Sequence, residues 1–274
     1  MSTKPYLDER APSRSRRRAP SQPAANDAGQ PPLRIQVWDL PIRVFHWSLV
    51  VAVSTAVVTG LIGGDLMPVH GKAGLAIVGL VSFRLVWGLI GSTHARFANF
   101  VPTPRRVLAY LQGRWRGHGH NPLGALSVLA LLGLLALQAG TGLFSNDEIA
   151  FAGPLSTLVS DERSLSLTGW HQLAAKLLYC LMALHVAAIL VYQFFKRHKL
   201  IEPMVTGWKD VDEGSSARAG SWPALLIAVA TAVAVVFVVS GARAASAPQA
   251  PAAAPVQHQA APAAKVQPQA APSW

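Results

Sequence analysis

The sequence predicts an all-α integral membrane protein, a bundle of four transmembrane helices followed by a fifth toward the C-terminus. Three observations carry that prediction. Of 274 residues, 51% are hydrophobic and only 14% charged, and the mean hydropathy of +0.32 is too apolar for an ordinary water-soluble domain. Five apolar stretches, at about 41–63, 70–91, 122–144, 170–195 and 221–241, each reach the roughly 20 residues that cross a bilayer. The basic residues, finally, gather in three clusters that fall on one side of a membrane if the first four helices alternate.

Residues 1–33 are rich in Pro and Arg and are expected to form a disordered basic tail. Their "SRRR" run lacks the apolar segment that an export signal needs directly after it, so it is read as fixing orientation. The first helix starts at Pro41, a good first-turn residue, and "GGDLMPV" turns the chain back into the second. The basic clusters are "RAPSRSRRR", "TPRRVLAYLQGRWRGHGH" and "FFKRHK", whereas the opposite loop, 145–169, opens with the acid-rich "SNDE". Lys and Arg excess marks cytoplasmic loops. The expected placement is therefore multi-pass in a membrane, with the N-terminus cytoplasmic. This distribution also accounts for the net charge of +11 without a nucleic-acid partner. The bundle unit is expected over 34–209, with a cytoplasmic linker over 210–220. The extra helix over 221–241 contains no histidine, and 242–274, nearly all Ala, Pro and Gln, cannot build a core.

The single cysteine, Cys180, excludes an intramolecular disulfide, and no C-x-x-C-H motif is present. It is read as a small buried residue. Any haem must then be held without thioether links, as a b-type haem.

Of nine histidines, His118, His120, His198 and His258 have polar or charged neighbours and are read as solvated, and His94 as interfacial. Four remain at membrane depth, where histidine is costly and usually functional. His46 lies near the inner end of the first helix and His70 at the outer start of the second. His171 and His185 share the fourth helix, fourteen residues or about 21 Å apart, and project from nearly one face. Two depth-matched pairs result, His70 with His171 outside and His46 with His185 inside. Paired imidazoles complete the coordination of haem iron, and a bundle core is where such sites are built. A lone intramembrane histidine more often bonds a neighbouring helix or relays protons. Four histidines in two depth-matched pairs, each with one member on the fourth helix, favour two haem b groups. Zinc is a poor rival, having only two ligands per level.

Haem propionates call for cations. Arg43 and Arg84 lie at the inner level, Lys72 and Lys176 at the outer. Snorkelling to the cytoplasmic boundary is an equally simple role for Arg84. Gly71 and Gly74 leave room for a flat macrocycle or simply pack helices. Trp47, Trp87 and Trp170 read as interfacial anchors.

The stretches "VWDLPIRVFHW", "GLFSNDEIAFAGPL", "TGWHQLAAKLLYCLMALHVAAIL" and "PMVTGWKD" resemble the bacterial cytochrome b-561 family, which includes the b-type cytochrome subunits of nickel–iron hydrogenases. The resemblance covers about 34–209. It implies a four-helix bundle binding two b-type haems, with His46, His70, His171 and His185 as axial ligands. It also implies electron exchange between the quinone pool and a partner at the other face, a periplasmic c-type cytochrome or a dehydrogenase. The Arg-rich N-terminal tail and the fifth helix depart from the family pattern. Two other functions fit the residues less well. A superoxide:quinone oxidoreductase needs no partner, but the acidic outer loop disfavours attraction of an anion. A non-redox transporter or proton relay does not require two depth-matched histidine pairs that share one helix. Whether the chain is itself an enzyme, rather than an electron-transfer cytochrome or an oxidoreductase subunit, is left open by the residues.

Overall fold

The computed structural model describes residues 33–115, 119–149, 151–211 and 216–246; the basic tail, His118 and the Ala/Pro/Gln-rich tail with His258 lie outside them. Among the described residues, five helices are long and apolar enough to cross a membrane. They are α1 (Leu40–Ile62), α2 (Met67–Ile90), α5 (Pro122–Phe144), α6 (Asp161–Leu190, prolonged by a π turn over Val191–Phe195) and α8 (Trp222–Ser246). Short helices α3 (Phe97–Phe100), α4 (Pro104–Leu111) and α7 (Ile201–Thr206) line one end of the bundle. Two strands, β1 (Leu33–Gln36) and β2 (Trp208–Val211), pair antiparallel there, with Leu33 opposite Val211. We call this the ribbon end, and the opposite one, with the α1–α2 turn and the α5–α6 loop, the turn end.

Side-chain caps fix where the helices begin. Asp39 accepts from Ile42 N at 3.1 Å, Asn121 from Gly124 N at 2.6 Å and Ser160 from Arg163 N at 3.4 Å, each satisfying an orphan amide of a first turn. Pro follows at the start of α1, α2 and α5. Mid-depth, Val53 of α1, Ile77 and Val81 of α2, Leu132 and Leu135 of α5 and Leu178 of α6 form one core. In lipid such contacts hold by close van der Waals packing rather than by exclusion of water.

The sequence reading needs four corrections. Helix α6 starts at Asp161 rather than near 170, so the loop after α5 ends at residue 160. Its first turns are polar and escape a hydropathy test, but Ser160 caps them and Ser164 Oγ donates to Phe144 O at 2.7 Å. Cys180 is exposed on the bundle surface, not buried. Trp87 is no lipid-facing anchor: it is 1% exposed and its Nε1 donates to Asp39 Oδ2 at 3.2 Å. His120 is not solvated; its ring packs between Trp38 and Phe100, 4.6 Å from each ring centre.

The fifth span is built into the fold. Helix α8 packs along α2, where Ala224 and Ala228 join Ile42, Trp87 and Ala95 in a second core. The chain before it is stitched to the ribbon end, Ala217 N donating to Gln36 O at 2.7 Å and Arg218 N to Thr93 Oγ1 at 3.1 Å. Gly220 lies flat on the Trp87 ring, where a Cβ would come within 2.4 Å of the indole.

Candidate cofactor site

The α1–α2 turn and the α5–α6 loop bring His70 and His171 together at the turn end. Their ring centres are 6.2 Å apart and their planes nearly perpendicular, at 86°. His70 Nδ1 lies 2.8 Å from Ala56 O of α1, and His171 Nδ1 lies 2.9 Å from Gln138 O of α5. Carbonyl oxygens only accept, so each Nδ1 carries the proton and each Nε2 keeps its lone pair. That is the arrangement that fixes tautomer and ring orientation in metal-binding histidines. Two imidazoles flanking one metal at about 2.0–2.1 Å per metal–nitrogen bond have ring centres roughly 6 Å apart, so the pair suits a single iron between them.

Both rings lie against glycines. A Cβ at Gly60 would stand 3.0 Å from His70 Cε1, and one at Gly142 2.9 Å from His171 Cε1. Phe151, from the loop after α5, covers His70 edge-on with ring centres 6.1 Å apart, and Gly71 leaves room for it, since a Cβ there would meet Phe151 at 3.0 Å. Gly74 faces open space. The Gln138 amide nitrogen lies 3.0 Å from His171 Nε2. It donates to the nitrogen that a metal takes, so ligation requires Gln138 to swing aside.

At the ribbon end His46 is within electrostatic reach of His185, both half-buried. His46 Nδ1 is buried and makes no hydrogen bond among the described residues; its ring meets Trp47 edge-on at 5.2 Å. Arg43 Nη1 donates to Val205 O at 2.6 Å, while its buried Nε has no hydrogen-bond partner among the described residues. Arg84 is 4% exposed, its guanidinium 4.7 Å from the centre of the Phe97 ring, and its Nη1 makes no hydrogen bond among the described residues. A buried guanidinium with an unused N–H is costly and fits an anionic group such as a propionate.

Lys72 and Lys176 are exposed. Lys72 borders an apolar groove of about 1280 Å³ between α1, α2 and α8. Sequence reasoning missed Gln138 and Phe151. A lone amide inside "LLALQAGTGLF" was a usable signal, whereas the position of Phe151 depends on how its loop folds.

Residues 37–207 match the family described as prokaryotic cytochrome b561. The chain is similar to the "Probable Ni/Fe-hydrogenase 1 B-type cytochrome subunit" of Escherichia coli (strain K12), 22% identical over 212 residues, covering 63% of this chain and 89% of that protein. It is also similar to the "Probable Ni/Fe-hydrogenase B-type cytochrome subunit" of Azotobacter chroococcum mcd 1, 25% identical over 216 residues, 64% of this chain and 88% of that protein. The Bradyrhizobium diazoefficiens protein of the same description is 22% identical over 212 residues, 63% and 85% of the two chains. No solved structure matches the chain. The family match ends before α8.

Proposed function

Because the chain belongs to the prokaryotic cytochrome b561 family, and is thus a multi-pass membrane b-type cytochrome that carries electrons, we propose that it holds two haem b groups one above the other. His70 and His171 would hold the iron of one at the turn end, His46 and His185 that of the other at the ribbon end. The observation that carries this reading is the facing pair at 6.2 Å, each Nδ1 tied to a backbone carbonyl. Haem supplies an iron that exchanges one electron at a time.

The chain's own residues do the rest. Ala56 O and Gln138 O hold the turn-end ring protons on Nδ1 and leave Nε2 basic. Gly60 and Gly142 let the rings lie close to the helix backbones. Arg43 and Arg84 offer unused N–H groups to ribbon-end propionates; Lys72 and Lys176 are the corresponding turn-end cations. Arg96, Arg105, Arg106, Lys196, Arg197 and Lys199 all lie in ribbon-end connections. The excess of positive charge there supports a cytoplasmic ribbon end and N-terminus.

Electrons then pass between the quinone pool and a partner at the turn end, either a c-type cytochrome or a periplasmic dehydrogenase. The hydrogenase cytochrome subunits among the relatives favour a hydrogenase-like partner. Decylubiquinone added to purified, dithionite-reduced protein, after removal of excess reductant, tests the reading. A b-type α-band that is bleached by the quinone is expected. Absence of the α-band sinks the haem assignment, and a band untouched by quinone sinks the quinone step alone.

A further inference from the structure

At the ribbon end a cavity of about 290 Å³ is walled by His94, Asn99, Phe100, Arg106, Trp115 and His120 among others. None of the four histidines assigned to haem borders it. Among the described residues its lining contains an arginine and two histidines and no carboxylate, and the Arg84 guanidinium lies behind it, 5.9 Å from the centre of the Phe100 ring. His120, clamped between Trp38 and Phe100, has a buried Nδ1 with no hydrogen bond among the described residues. Burial above all, then the charge of Arg84, pushes the His120 pKa down to about 3. It therefore meets a ligand as a neutral ring able to donate one N–H, while Arg106 brings the charge.

A cavity that offers an arginine charge and a ring N–H, with no carboxylate among the described residues, suits an anion. Its depth says what else that anion carries. Pro122, the first residue of α5, is part of the wall, so the cavity lies level with the end of a membrane span. Helix α4 supplies Arg106 to it and leaves Leu108 54% and Leu111 66% exposed. A short helix with arginines beside bare leucines belongs at the membrane–water interface, and basic pockets between spans suit lipid headgroups. We infer that this cavity binds the phosphate of an anionic phospholipid, held by Arg106 and the His120 ring.

The test is native mass spectrometry of the purified, haem-loaded full chain released from micelles containing equal phosphatidylglycerol and phosphatidylcholine. Retention of phosphatidylglycerol at least tenfold over phosphatidylcholine is expected. It should be lost in Arg106→Gln and in His120→Phe at unchanged haem content. Arg106 is exposed, so its replacement tests the site even if His120→Phe misfolds. Equal retention of the two lipids, or retention unaltered in Arg106→Gln, would overturn the inference. Displacement of the lipid by equimolar inorganic phosphate overturns the lipid as the source of the anion. Displacement by decylubiquinone reassigns the cavity to a quinone headgroup.

Discussion

The two ends of the bundle prepare for the same kind of ligand in opposite ways. At the turn end the polypeptide orients the imidazoles itself: Ala56 O and Gln138 O bind the ring protons, glycines flank the rings and Phe151 covers one of them. At the ribbon end, among the described residues, His46 Nδ1 has no hydrogen-bond partner, and the unused donors are instead the arginine nitrogens of Arg43 and Arg84. On the proposed assignment, the turn end is organised around the metal and the ribbon end around the anionic edge of the macrocycle. Preorganised ligands lose little freedom on binding, so the turn-end group should be held mainly by its axial bonds and the ribbon-end group more by charge.

The sharpest way to break that comparison is Gly142→Val. Its Cβ would stand 2.9 Å from His171 Cε1 before its methyl groups are counted, and the ring must move. One of the two haems should be lost, leaving a single b-type signal in potentiometric titration. The corresponding change at the ribbon end is Arg84→Gln, which removes charge but no ligand. Haem should stay bound there but dissociate about tenfold faster, within the range for residues that support a ligand set. Transfer to apomyoglobin measures the rate, and an unchanged rate would deny Arg84 its propionate. A smaller effect is expected for Gln138→Leu. The amide must leave His171 Nε2 before ligation, so its loss should change haem content less than twofold.

The smallest effect concerns pH and the ribbon-end connection. The folded pKa of His120, about 3, lies below the usual 6.5. The group therefore contributes stability that is complete above pH 6.5 and is lost as pH falls from there toward 3. Protection factors of the α3 amides, relative to intrinsic exchange at each pH, should fall as pH is lowered through that window and be flatter in His120→Phe. Tyr110 on α4, whose hydroxyl bonds Tyr192, has the opposite sign. With its pKa raised to about 12, first by burial and then by that bond, its contribution persists below pH 10 and is lost toward 12.

The spans were legible because apolar runs of membrane length have few other uses, and the four histidines because imidazole stands out in hydrocarbon. Other features depended on partners distant in sequence. His120, in "GHGHNP", reads as solvated, and only packing against Trp38 and Phe100 buries it. Trp87 reads as a boundary residue until Asp39 is seen to accept its N–H. Strands of four residues, paired across the whole bundle, carry no local signal. The start of α6 was hidden by its own polarity, as the helix runs beyond the apolar span.

Haem per polypeptide, measured by pyridine haemochrome on the purified wild type and on His171→Ala and His185→Ala, tests the central claim most directly. Two b-type haems in the wild type and one in each variant are predicted, the losses falling on different components of the redox titration. A single haem in the wild type, or both haems retained when His171 is removed, would contradict the two-level assignment.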